Sequence, residues 1–141
     1  MNSFITALQD RFKSDTTLRK LARRMYFGLG TAALKSPPYV DIEITGTNDE
    51  DDTFDTDVER VSLTFNVITK DRLGETAMKI VAAMRRVFDD AQFKTGDYAS
   101  VEMHLVDVTG PLLEPDRVMD AQLRYEALLI RVVKAPLVRA S

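Results

Sequence analysis

The sequence predicts an α+β domain, two helices packed on a mainly antiparallel sheet, and three observations carry that prediction. Residues 72–91 gather their apolar side chains on one helical face. Stretches at 39–46, 58–69, 98–108 and 117–133 alternate apolar and polar residues with the period of a strand. A further amphipathic helix leads the chain, so the element order is α-β-β-β-α-β-β. At 141 residues, 45% hydrophobic and 29% charged, the chain has the size and make-up of one domain, 1–141, with its own core.

Phe4, Ile5, Leu8 and Phe12 recur at helical spacing, and Leu18, Leu21 and Ala22 follow in the same way, which predicts helix over 3–23. The "KSDTT" between them predicts a break near residue 14, with Ser14 or Asp15 capping the second piece. "RMYFG" (24–28) reads as a short strand. Pro37 and Pro38 then force an extended chain into "YVDIEITG", where Val40, Ile42 and Ile44 oppose Asp41, Glu43 and Thr45. "VERVSLTFNVIT" alternates again through Val61, Leu63, Phe65 and Val67. The two runs make an antiparallel hairpin whose connection is the acidic segment 47–57.

In the helix at 72–91, Leu73, Ala77, Ile80, Val81, Met84, Val87, Phe88 and Ala91 share one face, and Asp71 is the natural N-cap. "YASVEMHLVDV" (98–108) is a strand and "GPLLEP" a turn. The run 117–133 is long for one strand, which predicts a bulge or bend in it. The tail from about 135 is expected to be loose.

Composition excludes several chemistries. With no cysteine there is no disulfide framework, thiolate metal site or thiol nucleophile, as suits a reducing compartment. No apolar run approaches the roughly 20 residues of a membrane helix, and the N-terminus lacks a signal-peptide pattern, so a soluble chain without a membrane partner is expected. His104 alone cannot build a histidine metal site. No phosphate-binding glycine loop, nucleophile elbow, zincin or dinucleotide fingerprint is present, so no catalytic residue, metal site or cofactor is expected.

The sharpest local feature is "TNDEDDTFDTD". Asp49, Glu50, Asp51, Asp52, Asp55 and Asp57 place six carboxylates in eleven positions with no basic residue. As a calcium loop it fails, because Phe54 stands where a glycine must turn the chain and Arg60 where the closing glutamate belongs. A paired catalytic function needs a fixed carboxylate separation, which a hairpin connection does not provide. The segment reads as a mobile, self-repelling acidic loop. Weak binding of a divalent cation is the alternative.

Its counterpart is the cluster Arg19, Lys20, Arg23 and Arg24 at a helix end, preceded by Arg11 and Lys13. Cations there are favoured by the helix dipole. A pI near 5.2 argues against a nucleic-acid surface and for a protein interface. Residues 1–35 carry seven basic against two acidic residues and 36–70 carry two against nine, +5 and −7, within a net charge of −3. Such a dipolar chain suits head-to-tail contact between copies.

The order of elements, with Arg24, Tyr26 and Gly28, then Pro38, Tyr39 and Val40, then Phe65, Val67, Thr69 and Asp71 leading into the second helix, resembles the tail completion or tail terminator proteins of long-tailed bacteriophages and related particles. The resemblance spans nearly the whole chain and rests on short motifs and on element order. It implies a structural virion protein of the tail or neck, assembled in the host cytoplasm, and not an enzyme. It also implies a ring, a hexamer, that caps the head-proximal end of the tail tube, stops its polymerisation and meets the head-side connector. DNA would pass through the bore without specific binding. On that reading residues 47–57 face the lumen or the tail tube protein, where carboxylates repel phosphate, and Arg19, Lys20, Arg23 and Arg24 serve a protein interface. The alternatives are another neck or head-completion protein and a small cation-binding α+β module.

Overall fold

Asp15 divides the N-terminal helix in two. Its carboxylate accepts the Leu18 N–H at 2.9 Å and so caps a new helix one residue after the first has ended. Burial pushes the Asp15 carboxyl up, but the Arg86 guanidinium and the backbone N–H groups of Leu18 and Thr17 outweigh it and hold it below its ordinary value. The computed structural model describes residues 2–28, 36–49, 56–71, 73–115 and 118–132. Its elements are α1 (Asn2–Ser14), α2 (Thr16–Leu21), β1 (Met25–Phe27), β2 (Tyr39–Asp49), β3 (Thr56–Thr69), α3 (Glu75–Phe88), β4 (Gln92–Phe93), β5 (Ser100–Leu113) and β6 (Met119–Val132). The tail expected to be loose from about 135 lies outside the described residues.

The α+β class holds, with three helices in place of two and one more strand among the described residues. β4 is two residues long and too short to leave a periodic signal. The strands form one sheet in the order β1-β2-β3-β6-β5-β4. All neighbours are antiparallel except β1 and β2, which run parallel with Met25 opposite Val40. β2 and β3 form the expected hairpin, and β3 is paired along its whole length with β6.

Alternation sends Val40, Ile42, Val61, Leu63, Phe65, Val67, Leu123, Tyr125 and Leu129 to the face the helices cover, all essentially inaccessible to solvent. Phe4, Leu8 and Phe12 of α1 and Ile80, Met84 and Phe88 of α3 complete the core. At its centre the Phe65 ring lies 4.9 Å from that of Phe88 and 5.5 Å from that of Tyr125.

Several local expectations are corrected. Leu73, placed on the buried face of the helix, is 82% exposed: it lies in the turn before α3, where helical phase does not apply. The N-cap position is Gly74 at φ 74°, yet Asp71 still serves the helix from three residues upstream. Its Oδ2 accepts the Thr76 N–H at 2.9 Å while its Oδ1 accepts the Thr69 hydroxyl at 2.6 Å. The expected turn at Gly110–Leu113 belongs to β5. Pairing there skips between Thr109 and Leu112 and resumes with Leu112 opposite Asp120. Gly110, at φ 86°, makes the skip possible, because a Cβ on it would sit 2.6 Å from the Asp120 carbonyl oxygen. The irregularities expected in the last strand thus fall in β5, and in β2 between Ile44 and Gly46. β6 itself keeps register with β3 throughout.

Two stability predictions follow from the packing and the cap. Phe65→Ala should lower unfolding free energy by about 3–5 kcal/mol, and Asp71→Ala by about 1 kcal/mol, both measured by urea titration. Burial raises the Asp71 carboxyl, but its bonds from Thr69, Thr76 and Ala77 outweigh that and hold it below 3.8. Its contribution is therefore present above 3.8 and lost as pH falls through the lowered folded value. The gap between wild type and Asp71→Ala should close in acid. A gap that stays constant down to pH 2 would show that the ionised form of Asp71 caps no better than the protonated one.

Candidate functional site

The two ends of the sheet differ in chemistry. At one end β2 finishes at Asp49 and β3 begins at Thr56, with Asp49 opposite Glu59 and Asp57 opposite Arg131. The acidic segment is thus partly strand: residues 47–49 and 56–57 belong to the ladder, which corrects the expectation of a loop over all of 47–57. Glu50, Asp51, Asp52 and Asp55 lie outside the described residues. At the opposite end, Gly74 abuts Pro111 and Met119. Leu73 precedes Gly74, Leu112 and Leu113 follow Pro111, and these three, like Met78 of α3, are all more than half exposed.

The basic cluster is less uniform than its spacing suggests. Arg19 and Lys20 occupy the last turn of α2, whereas Arg23 and Arg24 lie past the helix end. All four are exposed, and among the described residues none has a carboxylate within ion-pair distance. Arg11 does not join them. Its guanidinium donates to the Val87 carbonyl at 3.1 Å and stacks 4.8 Å from the Phe93 ring, fastening α1 to the end of α3. The acidic strand ends and the basic cluster are not brought together within one chain. One belongs to the end of the sheet and the other to the helical layer.

The sequence pattern missed two features. The first is a second basic line on α3, where Lys79 and Arg86 are seven residues apart and share a groove with Lys20 of α2. Their spacing of two helical turns was the available signal. Arg86 donates to both carboxylate oxygens of Asp15 at 2.8 Å. The second is a pair of open sheet edges. β1 covers β2 only at Val40–Ile42, and β4 covers β5 only at Val101 and Glu102. Beyond those points, residues 43–49 of β2 and 104–113 of β5 have no outer partner strand among the described residues. Edges are decided by strand order, which one chain's local pattern does not encode.

The face of the sheet away from the helices carries rows of polar side chains. Arg124 grips Asp107 with two hydrogen bonds, one from Nε at 2.7 Å, and this guanidinium holds the Asp107 carboxyl below its usual value. Arg60 pairs with Glu126, and the Asn66 amide donates to Glu43 at 3.3 Å. His104 lies on this face, exposed, with Nδ1 3.6 Å from Asp90 and Nε2 3.9 Å from Glu102. Among the described residues no cluster of three or more His, Asp or Glu is placed to hold a metal ion. Asp41 is the costly member of the face: it is 2% exposed, and its Oδ1 has no hydrogen-bond partner.

No family model matches the chain, and no curated protein matches it. Among solved structures it is similar to a chain from the virion of a native gene transfer agent (GTA) particle, with a TM-score of 0.69 at 19% identity. The superposition covers 87% of this chain and 89% of that one, so the likeness is one of whole fold.

The buried Asp41 leads to a pH prediction. Burial pushes its carboxyl up, the Asn66 amide draws it partly back, and Glu43 adds to the rise. A raised folded value means that Asp41 favours folding fully below 3.8, and that this contribution is lost as pH climbs through the folded value. Asp41→Asn should therefore be more stable than wild type at pH 7, by on the order of 1 kcal/mol, because it removes a buried charge that lacks a full set of partners. The advantage should vanish below pH 3.8 in thermal melts. A variant that is less stable at pH 7 would contradict the sign.

Proposed function

We propose that this chain is a structural protein of a phage-like particle and acts as a tail terminator. Copies would form a ring at the head-proximal end of the tail tube, stop tube growth and join the tail to the head connector while DNA passes through the bore. The observation that carries this reading is a pair of strand edges on opposite sides of one sheet, 43–49 of β2 and 104–113 of β5, that have no outer partner strand among the described residues. Long uncovered edges invite pairing with another chain, and monomeric proteins blunt them. Two different edges facing opposite ways suit a heterologous contact repeated around a closed ring. In copies of like orientation β2 and β5 run in opposite directions, so their union extends the antiparallel sheet.

The likeness in fold to a chain of a gene transfer agent virion supports the same class of protein. So do the unlike ends of the sheet. An apolar end around Leu73, Met78, Leu112 and Leu113 offers a docking face for a tube or connector subunit. The acidic segment 47–57, with six carboxylates and no basic residue of its own, repels phosphate, which suits a conduit for DNA. No step of this function makes or breaks a covalent bond.

The test is assembly. Mass photometry across a concentration range, with and without tail tube protein, should show a species of six 15.9 kDa chains that caps tube ends and halts their growth. Leu112→Asp with Leu113→Asp, at exposed positions that leave the core intact, should reduce capping at least about tenfold through loss of apolar contact. Failure of the wild-type chain to bind tube ends under any condition would defeat the proposal.

A further inference from the structure

Two carboxylates and an amide meet on the face of the sheet away from the helices. Asp41 and Glu43 are two residues apart on β2 and so share that face, and Asn66 of β3 is the register partner of Asp41. The Asn66 amide donates to Glu43 at 3.3 Å and also draws on the Asp41 carboxyl, so one amide spans both acids. Among the described residues neither acid has a lysine or arginine within ion-pair distance. The guanidinium on the same rung as Glu43, that of Arg124, is held by Asp107.

A second, independent observation sets this group apart from an ordinary acidic surface. Asp41 is 2% exposed, and its buried Oδ1 has no hydrogen-bond partner. A carboxylate oxygen taken out of water and left open, with a second carboxylate close by, lacks positive charge. A proton on Asp41 would satisfy that residue alone and leave Glu43 as it is. A divalent cation answers both charges at once. The donors also select the kind of ion. All are oxygens: the two carboxylates, and the Asn66 carbonyl once its amide turns over. With no sulfur and no imidazole among them, they suit a hard cation. Calcium fits better than magnesium, because it accepts an irregular shell of oxygens where magnesium demands a near-ideal octahedron. Glu43 is exposed, which leaves one side open for water to complete the shell.

We propose that Asp41, Glu43 and Asn66 form a calcium site on the face of β2 and β3 away from the helices. The site uses none of the carboxylates of 47–57 and stands independently of the ring reading. It gives the buried Asp41 a partner that the chain itself does not supply.

Calorimetric titration of the full chain with calcium at pH 7 should show saturable binding, and its melting temperature should rise with calcium concentration. Asp41→Asn and Glu43→Gln should each weaken binding at least about tenfold, because each removes a charged ligand. Stability gives a second readout. The advantage expected of Asp41→Asn over wild type in calcium-free buffer should shrink or reverse once calcium saturates the wild type. Terbium, which takes calcium sites, reports position. The chain has no tryptophan and four tyrosines, of which Tyr26 is the register partner of Asp41 and lies with its ring 5.9 Å from that of Tyr39. Terbium bound at Asp41 should emit on tyrosine excitation, and Tyr26→Phe should dim that emission while calcium still binds. Amides in place of Asp49, Glu50, Asp51, Asp52, Asp55 and Asp57 should leave calcium affinity unchanged. The proposal is overturned by an absence of saturable binding, by binding that survives intact in Asp41→Asn and Glu43→Gln, or by binding that disappears with the acids of 47–57.

Discussion

The structure depends on one pairing, that of β3 with β6, which runs from Thr56 opposite Val132 to Thr69 opposite Met119 without a break in register. A slip of one residue would turn every side chain of a strand to the other face of the sheet. Held in place, the pairing puts Phe65 beside Tyr125 under Phe88, and the same alternation sets Arg60 beside Glu126 on the far side. The helices therefore find one continuous apolar surface, and the polar rows find one another. The neighbouring strands absorb the twist and curvature instead. β2 shifts between Ile44 and Gly46, and β5 at Leu105/Asp107 and again at Thr109/Leu112.

This rigid centre explains why the molecule has two ends and two edges of different character. The β2–β3 hairpin pairs as far as Asp49 opposite Glu59. The opposite end is closed by the contact of Gly74 with Pro111 and Met119, which leaves Leu73 and Leu112 facing outward. β1 and β4 are too short to cover the strands beside them, so each protects only one end of its neighbour. Among the described residues the remaining stretches of β2 and β5 therefore have no outer strand.

Charge follows a similar logic. The +5 and −7 segments could have interleaved on folding and cancelled. Among the described residues no ion pair joins them: Arg86 takes Asp15, Arg60 takes Glu126, Arg124 takes Asp107 and Arg85 takes Asp89. Lys20 and Lys79, on the helical layer, have no ion-pair partner among the described residues.

Much of this was determined by the sequence alone, because local patterns record which side of an element is wet. Period-two alternation identified β2, β3, β5 and β6. Helical spacing identified α1 and α3, and Asp15 marked the break before α2. The class of fold and the absence of any familiar catalytic motif were equally plain. Tertiary structure alone decided the strand order, the two short outer strands, the open edges beside them and the groove shared by Lys20, Lys79 and Arg86. It also moved the bulges out of the last strand and turned Leu73 to solvent. The reason is physical: alternation is set by neighbours in the chain, whereas an edge, a bulge or a groove exists only once residues far apart in the chain compete for the same partner.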